Sequence, residues 1–396
     1  MRIIIISITT IAFVNSLFIS KAFGESNPPP PPLSSETAII IEANTGTVIY
    51  GKNASVQMYP ASITKIATAI YAIETADLNE KVTVSNNARS TDGSTVYLET
   101  GEKVPLKQLV QGLLINSGND AGVAIAEHVS GSVEQFSSDI NLYLQEKIGV
   151  QYTNFENPHG LFDPDHVTTA EDFARITQYA IKNETFRDIF GTEELKWDGM
   201  TWDTTLITHH KLVKGEMPYD GVTGGKNGFV NQSGYTLATT AEREGLSLIV
   251  ITMKSDIKDE SYNDTIKLLD YGFENYTTSY IDEGTIFKGD DKKFVTADKI
   301  AYTHPLNAQM DEQIGKDGSL KIINQDGSIL DSFTLDKVGQ ENKNYNRLKI
   351  KRSTNEEVIF DKVCLYLFFC NWFDSFNFNY LWSNTSPISQ SIILNK

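Results

Sequence analysis

The sequence predicts an α+β protein in which helices pack on one antiparallel sheet, with a smaller β-rich domain after it. Three observations carry this. β-rich runs stand near both ends of the first 275 residues, helix-period apolar patterns lie between them, and the composition shifts after about Tyr276. At 396 residues and 40% hydrophobic content, the chain is long and apolar enough for packed cores in two to three domains. Collagen-like, coiled-coil and low-complexity classes are excluded, and no internal repeat is apparent.

Residues 1–24 read as a secretory signal. Met1-Arg2 precedes an uncharged stretch from Ile3 to Ser20 rich in Ile, Phe, Val and Leu. Lys21 and the small-x-small pattern Ala22-Phe23-Gly24 follow. Read instead as an uncleaved anchor the stretch approaches spanning length, but Thr9, Thr10, Asn15 and Ser16 weaken it; either way the rest is exported. Residues 25–33 form a spacer stiffened by Pro28 to Pro32.

Residues 34–275 form the predicted catalytic domain. Thr37 to Ala43 and Thr47 to Tyr50 flank Asn44-Thr45-Gly46 as a hairpin. After Pro60, the residues Ile63, Ile66, Ala67, Ile70 and Ile73 fall on one side of a helix. Further helices are expected from Leu106 to about Asn116 and from Ala121 to His128. Another opens at Thr168, whose pairing with Glu171 fits a capping box. The runs Gly234 to Ala241 and Leu246 to Met253 are strands joined by Glu242-Arg243-Glu244-Gly245, so the chain's two ends close one sheet.

Residues 276–360 form the small β-rich domain, where Asp326-Gly327 between Leu320–Ile323 and Ser328–Leu330 predicts a hairpin. Residues 361–396 are an aromatic tail. Its apolar stretch from Val363 to Phe373 is too short to span a bilayer, so it reads either as a peripheral membrane contact or as a poorly folded end.

Charge and cysteine usage exclude several functions. With 34 basic against 51 acidic residues the net charge is −17, and losing Arg2 and Lys21 with the signal makes it −19. Such a chain offers no basic surface to a nucleic acid, and anionic lipid would not hold it by charge. The two cysteines, Cys364 and Cys370, both lie in the tail, so the rest holds neither a disulfide framework nor a cysteine metal site. His166 and His209-His210 lack any metal-ligand spacing and read as exposed histidines; no metal or cofactor is expected. Trp197 and Trp202 read as cover for a core or a cleft edge.

Three short motifs could carry chemistry. Ser62-Ile63-Thr64-Lys65 sets a hydroxyl and an amine three apart on one helical face, and a serine needs such a neighbouring base to act as a nucleophile. A lysine serves only if burial or a second cation keeps it neutral. About one or two such matches arise by chance in a chain this long. Ser255-Asp256-Ile257-Lys258 is one, in an apparently solvated charged turn. The second motif, Ser117-Gly118-Asn119, lies between two apolar helices and alone reads as a turn. The third, Gly224-Gly225-Lys226-Asn227-Gly228-Phe229, offers a cation on a strand whose paired glycines would let a ligand backbone approach. It does not meet the spacing of a phosphate-cradling loop.

Taken in order, Ser-x-x-Lys, Ser-x-Asn and Lys-x-Gly resemble the active-site set of penicillin-binding proteins and serine β-lactamases. Pro60–Lys65, Leu113–Ala121, Asn157-Pro158-His159-Gly160-Leu161 and Tyr271–Tyr276 narrow this, because they look like the low-molecular-mass D-alanyl-D-alanine carboxypeptidases. The resemblance implies a serine β-lactamase/transpeptidase-like fold. It also implies an exported enzyme of the cell envelope that removes the terminal D-alanine from peptidoglycan stem peptides ending in D-Ala-D-Ala and is acylated by β-lactams. By resemblance, Ser62 is the nucleophile, Lys65 its base, and Ser117 the relay to the leaving D-alanine. Asn119, Lys226, Asn227, Gly228 and Phe229 would bind substrate, with the N–H groups of Ser62 and Phe229 as the oxyanion hole. Asn227 stands where the family usually has threonine. A β-lactamase is an alternative, although no E-x-x-L-N supplies a deacylating glutamate. A catalytically weak wall-binding protein is another, suggested by Asn227.

Overall fold

The computed structural model describes residues 29–289 and 292–338. The expected signal, residues 25–28 of the expected spacer, the tail with both cysteines, and residues 290–291 and 339–360 of the expected β-rich domain lie outside the described residues. Strands β1 (Thr37–Glu42) and β2 (Val48–Lys52) form the first hairpin, turning at Gly46 with φ of 74°. The helices that build the site are α1 (Lys65–Thr75), α2 (Leu106–Ile115), α3 (Asn119–Ser130) and α4 (Ala170–Ala180). Strands β3 (Val222–Val230), β4 (Gly234–Arg243) and β5 (Leu246–Ser255) follow, then helix α5 (Lys258–Asn275). The sheet order is β2-β1-β5-β4-β3, antiparallel throughout, so the first strand lies beside the last as expected from the two ends of the pattern.

Strand alternation gives this sheet two apolar faces. Ile39 and Ile41 of β1, with Ile249, Ile251 and Met253 of β5, belong to the core shared with the helices. Ala38, Ile40, Leu248 and Val250 face the other way, against Leu268, Leu269 and Tyr271 of α5. Each such Ile, Leu, Val or Met side chain contributes about 1.5–3 kcal/mol by leaving water, which is why the register is not free to slip.

Three expectations change. Helix α1 is buried on every side from Lys65 to Ala72, rather than along one stripe, because α2, α3 and α4 all pack on it. The cap of α4 is Thr169, one residue later than expected: its hydroxyl accepts from Asp172 N at 3.0 Å, while the Thr168 hydroxyl bonds Thr153 at 2.7 Å. The helices Val133–Tyr143, Glu184–Phe190 and α5, and the hairpin of Glu194–Asp198 with Asp203–Ile207, were not expected from the sequence. Charged residues crowd the first turn of α5, at Lys258, Asp259 and Glu260, and obscure its narrow apolar stripe.

From Tyr276 the chain forms short antiparallel sheets around Ile281, Phe294, Tyr302, Leu320, Ile322 and Leu335. Ser319–Asn324 pairs with Ile329–Thr334 through the Asp326-Gly327 turn, where Gly327 has φ of 83°. Leu306 N donates to Asn275 O at 2.8 Å, and the hydroxyls of Thr45 and Thr303 lie 2.9 Å apart across to the first hairpin. Among the described residues no helix is long and apolar enough to cross a membrane.

Candidate active site

Pro60 leads into a tight 3-10 turn, Ala61–Thr64, which runs directly into α1. The turn is held from several sides. Thr236 Oγ1 of β4 donates to Pro60 O at 2.8 Å, and Thr64 Oγ1 donates to Ala61 O at 2.8 Å. Ala61 sits in the left-handed region, with φ of 50°, immediately before Ser62. The turn fits only because two neighbours lack side chains. A Cβ on Gly160 would lie 1.9 Å from Ala61 O, and a Cβ on Gly228 would lie 2.6 Å from Ser62 N.

The 3-10 turn and the first residue of α1 bring Lys65 Nζ to 3.0 Å from Ser62 Oγ. The same amine donates to the His159 carbonyl at 2.6 Å. Lys65 is fully buried, and its pKa falls well below the usual lysine value, first through burial and then through the nearby Lys226 cation, with Asp120 opposing. A neutral amine that gives one N–H to the His159 carbonyl keeps its lone pair for the serine proton. The expectation that a second cation helps keep Lys65 neutral thus has its physical counterpart, although burial comes first.

Ser117 lies 5% exposed between α2 and α3, in the left-handed region with φ of 61°. Asn119 opens α3, its backbone N donating to Ser94 O and its side-chain amide to Asp92 O, both at 2.7 Å. Beside it, the Asp120 carboxylate accepts from the backbone N–H groups of Val96, Leu98 and Ala121, so the 92–98 loop is clamped to the start of α3. Burial raises the pKa of Asp120 in spite of these bonds. Asp120 was not singled out from the sequence; an acid in the first turn of a helix was its available signal.

Lys226 is 2% exposed on the edge strand β3, and burial lowers its pKa to about 7. Its Nζ donates to Asn227 O at 2.9 Å. Alternation turns Lys226 and Gly228 to one face of the strand and Asn227 and Phe229 to the other. Phe229 is 49% exposed, its ring 4.6 Å from that of Tyr235.

Two readings of the sequence are corrected here. The pair Gly224-Gly225 does not open the strand to a ligand. A Cβ on Gly224 would lie 2.4 Å from the Phe190 ring and one on Gly225 2.4 Å from the His210 ring, so these glycines admit neighbouring side chains. His166 and His210 are not exposed: they are 2% and 0% accessible, and burial lowers both pKa values to about 3. His209 alone of the three is exposed. The Asn157–Leu161 loop does border the site, through the His159 carbonyl on Lys65 and the Pro158 carbonyl, which accepts from Thr68 at 2.7 Å.

The chain is similar to one group of known proteins. The profile of a family described as D-alanyl-D-alanine carboxypeptidase matches residues 23–257. D-alanyl-D-alanine carboxypeptidase DacF of Bacillus subtilis is 34% identical over 252 residues, covering 61% of this chain and 63% of that protein, so the match spans less than two thirds of its length. D-alanyl-D-alanine carboxypeptidase DacA of Haemophilus influenzae is 31% identical over 298 residues, 68% of this chain and 71% of that one. Penicillin binding protein 5 from Haemophilus influenzae superposes with a TM-score of 0.70 at 25% identity, over 78% of this chain and 98% of that one. A Streptomyces K15 DD-transpeptidase variant does so at 0.58 and 26% identity, over 62% and 99%.

Proposed function

From the membership of this chain in the D-alanyl-D-alanine carboxypeptidase family, we propose that it is a serine D-Ala-D-Ala carboxypeptidase of the cell envelope. It acts through residues 34–275 on peptidoglycan stem peptides, and residues 1–24 direct its export. One observation carries the reading: a buried amine with a depressed pKa lies 3.0 Å from the hydroxyl of Ser62.

In acylation, neutral Lys65 takes the Ser62 proton as Oγ attacks the carbonyl carbon of the penultimate D-alanine. The N–H groups of Ser62 and Phe229 receive the developing oxyanion, where one lost donor typically costs about 2.7–4 kcal/mol. The C–N bond breaks, and the departing D-alanine amine takes a proton relayed from Lys65 through Ser117. Lys226, with Asn227 beside it, binds the terminal carboxylate, and Asn119 holds the peptide backbone. Water activated by Lys65 then cleaves the Ser62 ester. A β-lactam carbonyl enters the same step, and the adduct persists because its leaving group stays tethered.

The test is to incubate the purified protein with a peptide ending in D-Ala-D-Ala, and separately with labelled penicillin. Released D-alanine and a covalent label on Ser62 are expected. Absence of both, with Ser62→Ala indistinguishable from wild type, overturns the reading. Penicillin hydrolysed with rapid turnover would point to a β-lactamase instead.

A further inference from the structure

The loop from Phe155 to His166 holds the reacting amine and the turn that carries the serine. Through the His159 carbonyl it holds the Lys65 amine at 2.6 Å. Its hold on the serine turn runs through a different residue. His166 Nδ1 accepts from Glu156 N at 3.0 Å, so that nitrogen carries a lone pair. Buried and pushed down to a pKa of about 3, the ring is neutral and keeps its single proton on Nε2. That nitrogen lies 2.9 Å from Thr64 Oγ1, and as the protonated N–H of the ring it can only donate. The Thr64 hydroxyl then donates its own hydrogen bond to Ala61 O at 2.8 Å. The result is a one-way chain of hydrogen bonds from Glu156 N–H through His166 and Thr64 to the Ala61 carbonyl, each bond polarising the next.

The carbonyl at the end of that chain belongs to a strained residue. Ala61 has φ of 50°, a conformation unfavourable for a residue with a Cβ, and such strain persists only where the surroundings over-determine it. The next residue is Ser62, so a rotation of the Ala61 peptide moves both the hydroxyl and the Ser62 N–H. Phe155 stacks on the ring at 4.8 Å and prevents it from turning away.

We propose that His166 is a positioning residue for acylation, fixing the Ala61 peptide through Thr64 and so setting the attack geometry of Ser62. The proposal rests on the carboxypeptidase reading for its rate measurement, but it also makes a structural claim of its own. His166 touches no substrate, so substitution should lower the acylation rate while leaving KM for the peptide nearly unchanged.

Two conservative variants separate the halves of the link. His166→Gln can place an amide N–H where Nε2 lies and keep the bond to Thr64. His166→Asn can place an oxygen where Nδ1 lies, satisfying Glu156 but leaving Thr64 without its donor. Displacing a reacting group by a fraction of an ångström to an ångström costs up to about 100-fold in rate. His166→Asn is therefore expected to slow penicillin acylation of the full chain by roughly 10- to 100-fold, with His166→Gln recovering most of it. Thr64→Val should match His166→Asn, and the double variant should be no slower than either single one. Equal rates for the Gln and Asn variants, wild-type acylation by His166→Asn, or additive losses in the double variant would overturn the proposal. If His166→Asn fails to fold, the comparison of His166→Gln with Thr64→Val decides it: both slow, or both at the wild-type rate, counts against the link. Were wild type inert toward penicillin and peptide, the carboxypeptidase reading would fall by itself. A crystal structure of Thr64→Val would then still decide this inference, because Ala61 retaining its positive φ would overturn it.

Discussion

The chain contains the same four-residue spacing twice, and the two copies have different fates. Ser62 and Lys65 lie on one continuous turn and helix, the lysine fully buried and the serine half-buried, with the hydroxyl and amine 3.0 Å apart. Ser255 ends strand β5 and Lys258 starts helix α5. Ser255 is itself buried and spends its hydroxyl on Ile257 O at 2.9 Å, which corrects the solvated turn expected for it, while Lys258 stands in water. A serine and a lysine three apart meet only when the intervening backbone is helical, and the amine becomes a base only when solvent is removed from it. The spacing is common to both copies; the burial of the lysine is not.

The comparison can be broken most decisively at the hydroxyl. Ser62→Ala is expected to reduce D-alanine release by roughly 10⁴-fold or more and to abolish penicillin labelling. Ser255→Ala should leave both rates at the wild-type level, costing only about 1 kcal/mol of stability for a lost hydrogen bond. Equal losses at the two serines would refute the assignment. At the amine, Lys65→Met should slow acylation by roughly 10²- to 10⁴-fold, the range for a general base, and Lys258→Met should have no effect on it. Stopped-flow acylation with a chromogenic β-lactam reads both.

A third test sharpens the role of the surroundings. Gly228→Ala puts a methyl group 2.6 Å from Ser62 N and should cost roughly 100-fold in acylation by shifting the serine turn. Gly245→Ala, in open space with φ of 81°, should cost a little stability and no activity.

A fourth concerns protons. Lys226 has a pKa near 7 in the fold, against 10.5 without burial. Between those values the unfolded chain binds a proton that the folded chain does not, so stability rises with pH from about 7 to 10.5 and is lowest where the buried amine is charged. Lys226→Met should flatten that rise, by up to a few kcal/mol, in denaturant titrations at pH 7 and pH 10. It should also move the acid limb of acylation to higher pH, because Lys65 loses the neighbouring cation that helps depress its pKa. The smallest effect is expected at Asn227. Replacing it with Thr exchanges one hydrogen-bond donor for another and should shift KM by about tenfold or less with kcat retained.

Much of the fold is legible in the residues. The β-rich runs at Thr37–Ala43 and Leu246–Met253 announced the sheet, and Asp326-Gly327 announced the late hairpin, because residue preference and turn chemistry are local properties. Helix α5 was not legible, since charges crowd its first turn. The three motifs were also readable, yet the parts that make them a site were not. Nothing local distinguishes Gly160 from any loop glycine, marks His166 as buried, or ties Asp120 to the N–H groups of Val96 and Leu98.

The sequence by itself determined which chemical groups the chain carries, in which order, and many of the strand- and helix-forming segments that carry them. Only the tertiary structure decided that Ser62, Lys65, Lys226, Gly228 and the His159 carbonyl converge. Residues up to about 165 positions apart in the chain meet there, and the depressed pKa values arise from the water excluded where they meet. Exclusion of water depends on every element packed around the site, and for that reason no short stretch of residues can encode it.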